Sequence, residues 1–327
     1  MELVLARPRG FCAGVTRAID IVDRALAIHG APVFVYHEIV HNGHVVRDLE
    51  TRGAVFVDDL ALIPEGAVTV FSAHGVPLSV EREAQERKLR VIDATCPLVA
   101  KVHVQVRRYV RQGYAVVLIG HAGHDEVTGT VGSVATGVHV VASVEDIASL
   151  PLARDAKVAY VTQTTLSVDD TRELIAELER RFDDLQGPAT DDICYATQNR
   201  QVAAKQLAAE VDLVLVVGAA NSSNSARLRE VVVQQGIPAY LIPDADAIDP
   251  AWLAGVGRVG ITSGASAPEY LVDGVRSRLI GLGAAVEREI GEQLENVTFR
   301  LPAAVLGSGP ARRLSATVPI DRLALTL

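Results

Sequence analysis

The sequence predicts an α/β protein made of three small, pseudo-threefold-related α/β domains, with mainly parallel sheets set around a central cavity. Three features of the chain point there. Short apolar runs alternate with stretches of helical periodicity, the pattern of parallel strands joined by crossover helices. The only three cysteines, Cys12, Cys96 and Cys194, each stand immediately before such a helical stretch. Polar clusters then recur at matching distances. His41, His124 and Ser223 lie 29, 28 and 29 residues after their respective thiols, and His74, Thr164 and Ser266 lie 62, 68 and 72 residues after them. A period of roughly 85–100 residues is too long for a solenoid repeat and suits small domains. The expected division is 1–95, 96–193 and 194–285, followed by a tail over 286–327.

Taken in order, residues 2–6 read as a strand, and after Cys12 the positions Val15, Ala18, Ile19, Val22, Ala25 and Leu26 keep helical spacing until Gly30. A strand at 33–36 leads to the turn His37–Asn42, a helix to about Arg52, and strands near 54–57 and 68–71, the last ending at His74. A charged, solvated helix (77–89) and a strand (90–93) deliver the chain to Cys96. There the order restarts, with Pro97 at the first helical position and Val99, Val102, Val106 and Val110 on one face. The strand 115–119 ends at Gly120–Glu126, and the strand 158–161 ends at Thr162–Thr165. After Cys194, strands 212–217 and 258–261 end at Asn221–Ser225 and Thr262–Ser266. Ligands of parallel sheets bind beyond the carboxyl ends of the strands, where all of these clusters lie. From about residue 285 the pattern lapses, and the remainder reads as a tail folded over the body.

With 49% hydrophobic and 22% charged residues the chain can bury a sizeable core. A net charge of -9 and 4% aromatic content provide neither a basic footprint nor stacking platforms for nucleic acid. No apolar run approaches the ~18 residues a membrane span needs, and an odd number of dispersed cysteines suits a reducing compartment, so a cytoplasmic protein is expected.

A thiol just ahead of a helix receives the positive end of the helix dipole, which favours thiolate. Three such thiolates suit an iron-sulfur centre or zinc. On a cubane they would hold three corners and leave one iron open, as an open position marks catalytic metal sites. The bland alternative is three buried structural thiols. All nine histidines precede residue 140, and the third repeat offers hydroxyls and amides in their place. Imidazoles, hydroxyls and amides near helix N-termini make a cage for phosphate oxygens. Glu126, two residues after His124, is a candidate proton donor, and Thr164 either serves the site or caps the following helix. His29, His37, His44, His103, His121 and His139 are expected to be structural or exposed.

The stretches RGFCAGV (9–15), HEIVHN (37–42), FSAHGV (71–76), DATCPLV (93–99), TQTTLS (162–167), ICYATQNRQ (193–201), NSSNS (221–225) and ITSGASAPE (261–269) together resemble the 4-hydroxy-3-methylbut-2-enyl diphosphate reductase family. The resemblance implies a [4Fe-4S] cluster held by Cys12, Cys96 and Cys194, with one iron lacking a protein thiolate. It implies binding of an allylic diphosphate by His41, His74, His124, Thr164, Ser222, Ser223, Asn224 and Ser266, and catalysis by Glu126, Thr164 and His124. The implied reaction is reductive dehydroxylation to isopentenyl and dimethylallyl diphosphates, the last step of the methylerythritol phosphate route, with ferredoxin or flavodoxin as electron donor. One departure is Ala219–Ala220, where relatives often carry a lysine. A zinc-dependent phosphohydrolase and a non-catalytic iron-sulfur sensor are the competing readings of the same residues.

Overall fold

The structure, a computed structural model, describes residues 1–291 and 295–306. The part of the expected tail from 307 onward lies outside the described residues. In chain order the elements are β1 (Glu2–Ala6), α1 (Ala13–His29), β2 (Val33–Tyr36), α2 (Gly43–Thr51), β3 (Ala54–Val57), β4 (Val68–Phe71), α3 (Leu78–Glu86) and β5 (Arg90–Asp93). Then follow α4 (Pro97–Arg111), β6 (Ala115–Ile119), α5 (Asp125–Val131), β7 (Val138–Val141), α6 (Val144–Ser149), β8 (Lys157–Thr162), α7 (Val168–Arg181) and β9 (Asp184–Gln186). The last group is α8 (Tyr195–Ala208), β10 (Leu213–Val217), α9 (Ser223–Gln234), β11 (Ala239–Ile242), β12 (Arg258–Ser263), α10 (Glu269–Gly281) and β13 (Val286–Ile290).

The strands form three sheets ordered β3-β2-β4-β5, β7-β6-β8-β9 and β11-β10-β12-β1-β13, and every pairing is parallel. The first two share one order, and the third repeats it with β1 in the place of β5 and β9. The strand expected to open the first unit therefore lies in the third sheet, between β12 and β13. Its side chains explain this. Leu3, Val4, Leu5 and Ala6 are all buried, so the strand must be covered on both faces, which an inner strand of a parallel sheet satisfies. Leu3 and Leu5 join Leu213, Leu215 and Ile261 in one core, while Val4 and Ala6 face Ala203, Ala204 and Leu207 of α8 on the other side. Residues 286–290, expected to belong to the tail, form β13 and pair with β1 from Glu2↔Val286 to Ala6↔Ile290.

This placement also decides where the thiols fall. Each one follows the last strand position of one sheet and precedes the helix that packs on the next. The helix after Cys12 packs through Ala18, Ile19, Val22 and Ala25 on the first sheet, although β1 belongs to the third. The helix after Cys96 packs through Val102 and Val106 on the second sheet, and that after Cys194 on the third. The cysteines thus occupy the three junctions between sheets, which is why residues so far apart in sequence meet. Residues 295–306 then run back to the first unit, where Leu301 and Val305 enter its core and the Arg17 guanidinium donates to the Arg300 carbonyl (2.8 Å). Among the described residues, no helix is long and apolar enough to cross a membrane.

Candidate functional site

Cys12, Cys96 and Cys194 are the N-cap residues of α1, α4 and α8, and none is a side-chain cap of its own helix; the first N–H of α1, that of Ala13, donates to the Tyr195 hydroxyl (3.3 Å). The backbone N–H groups of Leu98 and Val99 donate to the Cys96 thiol. The Cys12 and Cys96 thiols face each other across Gly14. A Cβ placed there would lie 2.8 Å from Cys96 Sγ and 3.8 Å from Cys12 Sγ, so this helical position tolerates only glycine. Burial pushes the Cys96 thiol up to about 12 and the Cys194 thiol to about 11, with repulsion from the neighbouring cysteines adding to the rise. Desolvation thus outweighs the helix N-terminus, contrary to the sequence-based expectation that the dipole alone would favour thiolate. The Cys96 and Cys194 thiols, raised in this way and lying close to Cys12, would ionise readily only beside a cation. This donor set fits a metal-sulfur group, which would reverse the balance, since a coordinating thiol is deprotonated outright.

The neighbouring residues form two linked groups. His41 follows β2, His74 follows β4, and His124 caps α5. Their rings lie 4.1 Å apart for His41 and His74 (stacked), 5.4 Å for His41 and His124, and 6.0 Å for His74 and His124. Ser266 Oγ donates to the His41 carbonyl (3.1 Å) and lies 3.4 Å from Ser222 Oγ, tying the third unit to the first. Ser222 caps α9, and the first turn of that helix carries Ser223 and Asn224. The turn sits close to the strand ends because Gly218 and Gly264 leave room for Ser225. Cβ atoms at those positions would meet Ser225 Oγ at 2.2 and 2.0 Å. Gln163, which is buried, donates to Ser223 Oγ (3.4 Å).

Burial holds His124 down to about 4 and lowers His74 well below its ordinary value, with the neighbouring imidazoles opposing further charge, so both rings are neutral at pH 7. The tautomer of His124 follows from one bond. Its Nδ1 accepts from the Glu126 backbone N–H (3.1 Å), so the proton is on Nε2, which becomes a donor toward an anion. His41 Nε2 and Asn224 Nδ2 are buried without a hydrogen-bond partner.

Glu126 and Thr164 form the second group, 3% and 4% exposed. The Thr164 backbone N–H donates to Glu126 Oε1 (2.7 Å) and its hydroxyl donates to Oε2 (2.9 Å). Burial pushes the Glu126 carboxyl up to about 7, against the pull of both Thr164 bonds. The Cys194 N–H donates to the Thr164 carbonyl (3.0 Å), which places the carboxyl group beside the thiols.

Every residue singled out from the sequence joins this assembly. Of the histidines expected to be structural or exposed, His103 and His121 have a buried Nε2 without a hydrogen-bond partner. His44 pairs with Asp244 and His37 with Asp58, each at 3.1 Å, and His103 packs beneath Gly75. His41, His74 and Asp125 bring three potential metal ligands within 4.8 Å of one another. Since the two imidazoles are stacked, their in-plane lone pairs run side by side, and a shared ion would sit out of both ring planes; this weighs against the zinc phosphohydrolase. Sequence reasoning missed Thr197, Gln163 and Arg200. Each lies inside a motif stretch that included it, but nothing local in the sequence marks its partners.

The LytB protein family model matches residues 3–280. The 4-hydroxy-3-methylbut-2-enyl diphosphate reductase of Zymomonas mobilis is 56% identical over 302 residues, covering 92% of this chain and 89% of its own. Reductase 2 of Bradyrhizobium diazoefficiens is 56% identical over 308 residues, covering 94% and 100%. Among solved structures, the E-1-hydroxy-2-methyl-but-2-enyl-4-diphosphate reductase of Plasmodium falciparum superposes with a TM-score of 0.89 at 36% identity, covering 93% of this chain and 96% of that one. A second reductase, described as the terminal enzyme of the non-mevalonate pathway, gives 0.61 at 34% identity, covering 86% and 99%. On the extent of these matches, this chain belongs to the LytB family of 4-hydroxy-3-methylbut-2-enyl diphosphate reductases.

Proposed function

We propose that the protein removes the 4-hydroxyl group of (E)-4-hydroxy-3-methylbut-2-enyl diphosphate reductively, giving isopentenyl and dimethylallyl diphosphates. Two electrons and two protons enter, the C–O bond breaks and water leaves. The observation that carries this function is the contact between the two groups of the site. A buried carboxyl poised near 7 stands beside the thiols, and the His41, His74 and His124 rings cluster on the helix that carries it and on the neighbouring strand ends. Cys12, Cys96 and Cys194 would hold a [4Fe-4S] cluster with one iron free of protein thiolate. When bound, that group supplies electrons singly and a Lewis acid for the hydroxyl oxygen.

The chain's own residues do the rest. His41, His74, His124, Ser222, Ser223, Asn224 and Ser266 line the cage for the diphosphate. They anchor the substrate at its charged end, so that the hydroxyl end is oriented by binding energy remote from the reacting bond. Glu126 holds the proton. With Glu126 ionised, the Thr164 N–H donates to Oε1 and the Thr164 hydroxyl to Oε2; on protonation the N–H keeps Oε1, so the acid proton sits on Oε2 and the second bond reverses, the hydroxyl now accepting. That hydroxyl is then free to turn its own proton toward the substrate oxygen, making Thr164 a relay and hydroxide a leaving group that departs as water. Burial of both side chains excludes bulk water from the transfer.

Anaerobic purification followed by turnover with a chemical reductant and mediator, or with ferredoxin or flavodoxin, tests the proposal. A brown protein with iron and acid-labile sulfide that consumes the substrate supports it. A colourless protein with stoichiometric zinc would overturn it, and an iron-sulfur protein inert toward the substrate would leave a sensor.

A further inference from the structure

Thr197 takes no part in the mechanism above, yet it stands between the two halves of the site. It lies in the first turn of α8, 1% exposed, three residues after Cys194. Its Oγ1 is 3.2 Å from Cys194 Sγ and 3.4 Å from Asn224 Oδ1. Asn224, itself 5% exposed, has its Nδ2 buried without a partner, in the same helical turn as Ser222 and Ser223. Once Cys194 is a metal-bound thiolate it can only accept, and the Thr197 hydroxyl, with one proton for two acceptors, can then bond the sulfur or the amide oxygen but not both.

We propose that Thr197 is a positioning residue that couples occupancy of the diphosphate cage to the electron affinity of the sulfur centre, through the choice its hydroxyl makes between Cys194 Sγ and Asn224 Oδ1. The inference rests on the iron-sulfur reading and on the anion cage. With the cage empty, a Cys194 thiolate is the stronger acceptor and takes the proton. A hydrogen bond to a ligating sulfur disperses its negative charge and favours the reduced centre, raising the potential. When a diphosphate accepts from Asn224 Nδ2, the amide polarises and Oδ1 becomes a better acceptor. The hydroxyl proton then swings to Oδ1, the sulfur regains electron density, and the centre becomes a stronger reductant at the moment substrate is in place.

The test is a redox titration of the anaerobically loaded, full-length protein, followed by electron paramagnetic resonance, with and without inorganic pyrophosphate. Thr197→Val keeps the shape and removes the hydroxyl; Thr197→Ser restores it. The Val variant should titrate at a more negative potential than the parent, with the Ser variant close to the parent. Pyrophosphate should shift the parent further in the negative direction than it shifts the Val variant. Equal potentials in parent and Val variant, both with intact cluster spectra, would refute the coupling. Should the Val variant fail to load, the parent alone decides. Proton double resonance in water and in heavy water should show an exchangeable proton coupled to the centre that weakens on adding pyrophosphate, and a coupling indifferent to pyrophosphate would overturn the proposal. A parent that holds no cluster would refute the iron-sulfur reading. A loaded parent that does not bind pyrophosphate would remove the anion cage, and the coupling with it.

Discussion

Arg200 is completely buried, and all five of its N–H groups are used. Nε and Nη2 donate to the Gly10 carbonyl (3.3 and 2.8 Å), Nη1 to the Ala196 carbonyl (2.9 Å), and Nη1 and Nη2 to the two carboxylate oxygens of Glu295 (2.9 and 3.2 Å). Gly10 lies two residues before Cys12 and Ala196 two after Cys194, so one guanidinium clamps two of the three thiol loops. Its charge is balanced by a residue from the returning segment 295–306. Glu295→Ala removes the balancing charge and strands two donors of a guanidinium whose side chain is 1% exposed. Breaking a buried pair in this way costs about 3–5 kcal/mol. The Glu295 side chain is 12% exposed, so the lower end of that range is expected. Glu295→Gln keeps the shape and one acceptor and should cost less, about 1.5–3 kcal/mol, the value of a hydrogen bond to a charged group. Urea unfolding of the metal-free protein measures both, and iron content after anaerobic reconstitution should fall in the same order. A loss below about 1 kcal/mol for Glu295→Ala, or a Glu295→Gln variant less stable than the Ala variant, would refute the reasoning.

The remaining predictions concern the site itself. Glu126→Gln should keep the cluster spectrum and lower turnover by about 10²-fold or more, and near-normal turnover would remove Glu126 as the proton donor. Because the folded protein raises this carboxyl from 4.5 to about 7, its contribution to stability is fully present below pH 4.5 and is lost as pH rises through 7. The difference is about 3 kcal/mol, and unfolding midpoints of the metal-free protein at pH 5 and pH 8 should show it in the parent and not in Glu126→Gln. Cys12→Ser, Cys96→Ser and Cys194→Ser should each lower iron retention, and unchanged iron content in any one would exclude that thiol as a ligand. Gly14→Ala should do the same without touching a thiol, because its Cβ meets Cys96 Sγ at 2.8 Å. An iron content equal to the parent's would show that the thiols can spread.

Most of the strands and helices were legible because they depend on neighbours in the chain. Pro97 after Cys96, Asn42 before α2 and Ser222 before α9 are local start signals, and the apolar spacing of α1 and α4 marks their buried faces without reference to anything distant. The polar clusters were legible for a related reason. They sit at strand ends, where parallel sheets place ligands, and the repeat brings each back at the same distance from its thiol. Thr197 and Gln163 escaped notice because a buried threonine or glutamine within a helix or turn looks like any other until its partner is known. Asn224 is 27 residues from Thr197, and Ser223 is 60 from Gln163.

By itself, the sequence determined that three thiols precede three helices, that the chain repeats, and which residues end its strands. Only the tertiary structure decided which sheet each strand joins. The continuous apolar run Leu3–Ala6 demands cover on both faces but does not name the cover, and its position between β12 and β13 is what sets Cys12 at the junction of the third sheet and the first. The charge states were decided at the same level. Helix N-termini alone favour thiolate, and an isolated glutamate is ionised at pH 7. Packing raises the Cys96 thiol to about 12 and brings the Glu126 carboxyl to about 7, because removing water costs a charged group more than a helix dipole or a pair of hydrogen bonds returns.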